Sequence, residues 1–403
     1  MDNVSRCQYI VPRKQRRCRM LVKSGQLYCG EHSYISNPES RIPCPLDPAH
    51  SVHVENLDDH LQRCNQSKNA NQPWFKRDVN LFDLSDKSEC FGKVNISVNT
   101  LRKVIKFYEQ LQLDIPVEFI PYAKLEAMSL EKFGSTGEKC KRDRDQVSSI
   151  LGHLNALNLL ESDESVSFLE FGAGRAKLTY WLSTIFHQQG DDARHRYVLI
   201  EQSGKRYKYE NKAVADGQRR DCFTRIRCGI EHVMLNCIYQ LKITKYTVAI
   251  CKHLCGSAFD AALVSVVNSL SDPAVQIKAL IMAPCCHHRC KWSQFCGKEL
   301  FTFFNFEADQ FAELRRIISW STCGFSSLED KICTIKCSSC SEVDSACGNC
   351  FTVNREEVGH KAKVLLNWAR AAYLQRFGFS VRLVQFVPLQ ISPENLLLIA
   401  LRE

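Results

Sequence analysis

Between Val166 and Met282 the chain alternates short apolar runs with longer stretches of helical spacing, and few architectures can accommodate that rhythm. The runs are Val166–Phe171, Tyr197–Glu201, Phe223–Cys228, Tyr246–Cys251 and Ile277–Met282. Most are near-continuously apolar rather than alternating, as strands covered on both faces are. Strands joined through helices must run parallel, because an antiparallel pair would need only a tight turn. An α/β fold is therefore expected. A helical stripe at Gln146–Leu160 (Val147, Ile150, Leu151, Leu154, Leu157) precedes the first run. From Val98 to about Lys132 the spacing is mostly helical, with breaks at Pro116 and Pro121. The chain closes with a helix, Arg355–Phe377, and two strands, Val381–Pro388 and Leu396–Leu401, around Ser392-Pro393-Glu394-Asn395. No internal repeat is present.

The first run opens into Gly172-Ala173-Gly174-Arg175-Ala176-Lys177-Leu178, a glycine turn ahead of a helix. Glycines let the backbone turn tightly and approach a ligand at the helix N-terminus. A dinucleotide fingerprint needs a third glycine three positions after Gly174, and Lys177 stands there. NAD is disfavoured. An acid on the strand side, Glu170, instead matches the first motif of methyltransferases that use S-adenosylmethionine (SAM). That ligand has no pyrophosphate to cradle, and its cationic amino acid end is compatible with a carboxylate. Glu201, ending the next run, is placed to accept ribose hydroxyls. The expected cofactor-binding residues are Glu170, Gly172, Gly174 and Glu201.

Two further runs end in unusual chemistry. Lys252-His253-Leu254-Cys255-Gly256 follows Tyr246–Cys251, and Pro284-Cys285-Cys286-His287-His288-Arg289-Cys290 follows Ile277–Met282. Ligands of open α/β sheets bind beyond the carboxyl ends of the strands. Ordinary core Cys and His would explain one such cluster better than two. Imidazoles titrate near neutrality, where a general base is needed. His253, His287 and His288 are therefore candidate bases, although some of them could simply orient the loop. Lys252 could neutralise a developing alkoxide, and Arg289 could hold a phosphate.

The N-terminal part differs in kind. Cys44, His50, His60 and Cys64 have the spacing of a zinc finger whose last pair lies on a helix, Asn56–Arg63, with His53 competing with His50 on spacing alone. Cys7, Cys18, Cys29 and His32 form a looser set. Segments of ~30 residues cannot bury a sufficient core unaided, which favours metal. The chain has 22 cysteines in 403 residues, no apolar signal core at its start and no run long enough to cross a bilayer. An intracellular protein, nuclear or cytoplasmic, with cysteines serving metal or catalysis is expected. The net charge of +9 favours a polyanion partner. Arg13, Lys14, Arg16, Arg17 and Arg19 concentrate part of it and are candidate RNA phosphate contacts. Cys337, Cys340, Cys347 and Cys350 end in paired thiols, but their central loop is shorter than zinc ribbons use.

Together, Lys252–Gly256, Pro284–Cys290, Ser392–Leu398, Gln146–Ile150 and both N-terminal clusters resemble the eukaryotic tRNA ribose 2′-O-methyltransferase family that modifies position 4 of the acceptor stem. The resemblance spans nearly the whole chain. It implies a Rossmann-like class I SAM-dependent methyltransferase domain behind two zinc modules, with SAM and zinc as cofactors and tRNA as partner, without membrane or stable protein partners. It selects His50 over His53 in a Cys-His-His-Cys finger similar to that of a minor-spliceosome protein, and it matches Cys7, Cys18, Cys29 and His32 to the family's other finger. The implied organisation is a finger at 1–36, a second at 41–66, a linker at 67–95, a helical segment at 96–160 and the methyltransferase domain at 161–403. Glu201 and Gly229 both depart from the Asp expected at their places in the family, which leaves open whether Glu231 replaces the second acid. Two rivals stand beside this reading. One is a cytosine C5-methyltransferase with Cys255 or Cys285 as nucleophile, and the other is a non-catalytic RNA-binding factor.

Overall fold

A computed structural model of the chain describes residues 6–11, 16–46, 50–82, 94–125, 137–161, 163–191, 193–204, 208–322, 331–335 and 351–403. The chain divides into two compact units, Met1–Phe75 and Lys76–Glu403.

The first unit has almost no aliphatic core. Among its described residues Val52 is the one buried aliphatic side chain, and Cys7, Cys18, Cys29, Cys44 and Cys64 are the other buried apolar groups. Short antiparallel pairs, Ile10–Val11 with Arg16–Arg17 and Arg41–Pro43 with Ser51–His53, carry the two Cys/His clusters. The helix Leu57–Arg63 follows the second pair. So little apolar burial cannot offset the entropy of ordering such a unit, so its stability must come from the clusters.

The second unit is a mixed α/β structure around a seven-stranded sheet. The strands are β1 (Val166–Phe171), β2 (Arg196–Ile200), β3 (Phe223–Ile226), β4 (Tyr246–Cys255), β5 (Ile277–Cys285), β6 (Ser380–Gln385) and β7 (Leu396–Leu401). Their spatial order is β6-β7-β5-β4-β1-β2-β3. β5, β4, β1, β2 and β3 pair in parallel, and β7 is antiparallel to both β5 and β6. The order reverses beside β1, so the crevice between β1 and β4 lies at the carboxyl ends of both.

The longer helices among the described residues of this unit are α1 (Val98–Leu111), α2 (Glu138–Ala156), α3 (Lys177–Gln188), α4 (Tyr209–Ala215), α5 (Ser257–Ser269), α6 (Ala308–Ser319) and α7 (Arg355–Gln375). α2 packs Ile150, Leu151 and Leu154 with Phe168, Val248 and Ile281 of the sheet. A second apolar cluster joins α1 (Leu101, Val104, Phe107), α6 (Leu314, Ile317) and α7 (Leu365, Leu366). Behind β4 and β5, Arg370 of α7 grips Asp260 of α5 through two bonds of 3.0 and 2.6 Å, both side chains fully buried. Removing one partner of such a pair would strand a charge in the interior. No helix among the described residues is long and apolar enough to cross a membrane.

Three elements differ from the sequence expectation for identifiable reasons. β4 and β5 run on through Cys255 and Cys285, past their apolar cores, with a register shift between Cys251 and Leu254. A bulge of this kind re-aims side chains, which hides the strand behind polar residues. Within the stretch expected to be mostly helical with breaks at Pro116 and Pro121, the first helix stops earlier, at Leu111, where Gln112 turns left-handed (φ +46°) ahead of Pro116, and 126–132 lie outside the described residues. At the start of the linker expected at 67–95, the helix Asn65–Ala70 runs on. Asn80 is buried and donates to the carbonyls of Ile230 and Val233 at 2.8 and 2.7 Å. Its short amide satisfies two loop carbonyls, a use that composition does not reveal.

Candidate functional site

β1 delivers the glycine turn directly from the core. Gly172 (φ +62°) and Gly174 (φ +54°) occupy left-handed backbone, which glycine adopts without strain. A Cβ on Gly172 would come within 2.8 Å of Leu254 Cδ1, so the turn lies against the end of β4. Both backbone groups of Gly174 are held: its N–H donates to Glu201 Oε2 at 2.8 Å, and its carbonyl accepts from Arg225 Nη1 at 3.1 Å. Arg225 is itself clamped by buried Glu210 at 2.5 and 3.0 Å. Glu201 also accepts from Ser203 N–H at 2.8 Å. The carboxylate expected to meet a ribose therefore also shapes the turn.

Glu170 is buried and accepts from Thr179 N–H at 3.3 Å and Thr179 Oγ1 at 2.5 Å. It ties β1 to the first turn of α3 rather than opening into the crevice. Burial raises its carboxyl to about 7, against the pull of the Thr179 bonds. Past β3, a Cβ on Gly229 would meet the Glu231 carboxyl group at 2.7 Å. The Glu231 carboxyl thus occupies the space that a side chain at 229 would take.

Opposite the turn, Asp143 of α2 bridges two ammonium groups. One oxygen pairs with Lys177 Nζ at 2.5 Å and the other with Lys252 Nζ. Burial alone would raise the Asp143 carboxyl, but Lys252 and Lys177 bring it below its ordinary value. Asp143 escaped the sequence reading because a lone acid on an exposed helical stretch carries no local signal. His253 follows Lys252 on the bulge, with its side chain reachable by solvent. Crowding of its ring, and then the neighbouring Lys252 charge, hold its imidazole below the usual range.

The loop after β5 sorts the remaining candidates. His287 is buried, with Nδ1 3.2 Å from Glu394 Oε2 and Nε2 2.8 Å from Asn367 Nδ2. Buried between Glu394 and Asn367, the His287 ring is not open to an external hydroxyl as the exposed His253 and His288 are. Its contacts tie the loop to α7 and to the Glu394 segment. Burial lowers its imidazole despite Glu394. Glu394 also accepts the Cys286 N–H at 3.0 Å, and Lys363 Nζ donates to Pro393 O at 2.6 Å. Glu394, from the Ser392–Leu398 stretch that carries the resemblance, and Asn367, which no spacing singled out, thus hold the loop in place. His288 and Arg289 are exposed. Cys255, Cys285 and Cys286 bring their sulfur atoms together at the ends of β4 and β5. Contacts with the two other thiols hold Cys286 well below the ordinary thiol value and push Cys285 far above it.

In the first unit the ligand atoms of Cys7, Cys18, Cys29 and His32 all lie within 4.8 Å of one another, as do those of Cys44, His50, His60 and Cys64. His32 Nδ1 is 3.2 Å from Cys29 Sγ, and His60 Nε2 is 3.2 Å from Cys44 Sγ. His53 is exposed outside the second group. Four convergent N and S donors fit a closed, structural zinc site. Arg17 and Arg19 are exposed. Arg13 and Lys14 lie outside the described residues, as do Cys337, Cys340 and Cys347; of Arg16 only the backbone is described, and Cys350 too falls outside.

Three family models match the chain: methyltransferase TRM13 over residues 145–401, the CCCH zinc finger in TRM13 protein over 5–33, and the U11-48K-like CHHC zinc finger over 41–65. The chain is 30% identical to the tRNA:m(4)X modification enzyme TRM13 homolog of Homo sapiens, covering 98% of this chain and 94% of that one. Its identity to the tRNA:m(4)X modification enzyme TRM13 of Saccharomyces cerevisiae is 26%, covering 98% and 96%. The crystal structure of DszA carbon methyltransferase superposes with a TM-score of 0.31 at 11% identity, over 76% of this chain and 65% of that one. That likeness is too distant to inform the site.

Proposed function

The chain belongs to the methyltransferase TRM13 family, and from that membership we propose that it methylates the ribose 2′-hydroxyl of nucleotide 4 in the tRNA acceptor stem, with SAM as donor. The observation that carries this reading is a juxtaposition. The glycine turn of β1 lies against the bulge of β4, Gly172 packing on Leu254 with the His253 carbonyl 3.8 Å from its Cβ position. The turn and the His253 backbone thus lie side by side, which supports a donor cradle and a base in one crevice. The sheet order, with one antiparallel strand between β5 and β6, supports a class I methyltransferase domain of Rossmann-like form.

SAM, when bound, supplies a methyl group on a positively charged sulfur. Gly172 and Gly174 would let it approach the backbone, while Glu201 and Glu231 would serve its ribose and adenine sides. Glu170 would act from behind, holding the turn through Thr179. His253, kept neutral near pH 7, takes the proton from the 2′-hydroxyl as the oxygen attacks. Lys252, aimed by Asp143, stabilises the charge growing on that oxygen. His288 and Arg289, both exposed, suit the flanking phosphates. Zinc in the two N-terminal clusters would hold Arg17 and Arg19 on rigid loops for backbone contacts. The acceptor stem is A-form RNA, so recognition rests on shape and phosphates more than on base edges.

The deciding experiment is mass spectrometry of nucleosides from tRNA incubated with the protein and labelled SAM. Label on ribose at nucleotide 4 is expected. Label on cytosine C5, with an RNA–protein adduct trapped through a cysteine, would replace this reading with its rival. Calorimetry of SAM binding removes the third reading. Binding by the wild type, lost in Gly172→Asp with Glu201→Ala, is expected, and a chain that binds no SAM would be an RNA-binding factor.

A further inference from the structure

The thiols of Cys255, Cys285 and Cys286 form a built cluster that methyl transfer to oxygen does not use. Their three sulfur atoms all lie within 4.8 Å of one another, with Cys255 and Cys285 Sγ 3.3 Å apart and unbonded. The backbone holds them there. Cys255 and Cys285 face each other in the β4–β5 ladder, and Gly256 N–H donates to Cys285 O at 3.0 Å. Cys286 sits in left-handed backbone (φ +52°), rare for a residue with a side chain, and Glu394 retains its N–H. Gly256 leaves no space between the two strand ends: a Cβ there would come within 2.8 Å of Arg289 Cβ and 3.0 Å of Arg289 backbone.

We propose that Cys255, Cys285 and Cys286 bind one thiophilic divalent cation, zinc by chemical class, as a third metal site separate from the two fingers. Thiolates select such ions over magnesium or calcium. A tetrahedral zinc with bonds of about 2.3 Å holds its sulfurs about 3.8 Å apart, which this cluster can meet with small shifts. All three sulfurs bind as thiolates, and whatever thiol protons they still carry pass to solvent. Among the described residues no fourth His, Cys, Asp or Glu joins the group, so a solvent molecule completes the tetrahedron. Arg289, exposed beside the cluster, offsets the net negative charge of three thiolates on one divalent ion. The ion would pin the ends of β4 and β5 to each other, and with them the Lys252–His253 bulge to the 286–290 loop.

The test is elemental analysis of the full-length protein, purified under reducing conditions and equilibrated with zinc. It is run on the wild type and on Cys255→Ser with Cys286→Ser. The double variant is expected to carry one zinc fewer per chain. Cobalt(II) loaded in place of zinc should lose one ion's worth of thiolate-to-metal absorption in the same variant. Because both substituted side chains are partly exposed, circular dichroism should match the wild type. If the double variant does not fold, Cys286→Ser alone is used with the cobalt spectrum as readout. Equal metal content in folded wild type and variant overturns the proposal. So does a reduced-state wild type whose intact mass lacks two hydrogens through a Cys255–Cys285 disulfide, since that cluster would be a redox pair.

Discussion

The Nε2 atom of His287 lies 2.8 Å from the side-chain amide nitrogen of Asn367. Asn367 Oδ1 accepts from Arg370 at 3.0 Å, and its amide also donates to Lys363 O at 2.8 Å. That orientation makes the amide a donor to His287, so Nε2 carries no proton and Nδ1 bears the hydrogen facing Glu394. A single chain of polar contacts therefore runs from Asp260 through Arg370, Asn367, His287 and Glu394 to the Cys286 backbone.

Asn367→Leu should destabilise the protein by about 1–3 kcal/mol, because a buried imidazole nitrogen and a buried guanidinium each lose a partner. Chemical denaturation measures this directly. An unchanged midpoint would mean that the chain of contacts does not hold the loop.

The two imidazoles expected to act alike should behave differently. His253→Ala should leave the denaturation midpoint near that of the wild type while lowering kcat for methyl transfer by roughly 10²–10⁴-fold. His287→Ala should lower the midpoint and the rate together. A His253→Ala enzyme of full activity would remove it as the base.

Glu170 gives a pH signature. Folding raises its carboxyl from 4.5 to about 7, so the folded chain keeps a proton that the unfolded chain has released. The stability this proton confers is complete below the unfolded value and is lost as pH rises through the folded one. Glu170→Gln keeps an oxygen for Thr179 and never ionises. Its stability relative to the wild type should therefore grow between about pH 5 and pH 8, approaching about 3 kcal/mol. Parallel melting curves at each pH would contradict the buried, protonated carboxyl.

Binding of tRNA should weaken steeply with salt. Arg17→Ala with Arg19→Ala should flatten the slope of log affinity against log salt by about 1–2. Titrations at several ionic strengths check this, and an unchanged slope would place the phosphate contacts elsewhere.

What the sequence made legible follows from where each signal is stored. The central strands of the sheet were readable because Val166–Phe171 and its neighbours in β2 and β4 are buried on both faces, which enforces local apolar runs. The choice of His50 over His53 and the looser first set came from the resemblance, while the second finger was readable because metal geometry enforces local spacing. The extension of β4 through Lys252 and His253 was not, since a bulge at a strand end serves the crevice rather than the core. Asp143 and Asn367 were also hidden. Each acts on a residue roughly a hundred positions away, 109 from Asp143 to Lys252 and 80 from His287 to Asn367, and nothing in the local sequence marks either partner.

The packing of Glu231 over Gly229 bears on how this chain is compared with its relatives. The loop after β3 carries glycine where the resemblance expects an acid. In space a negative charge stands there all the same, carried by a longer arm from two residues further on. An Asp at 229 would set its Cβ against that carboxyl, the far end of a flexible side chain, so Glu231 would swing aside and two acids would compete for one place.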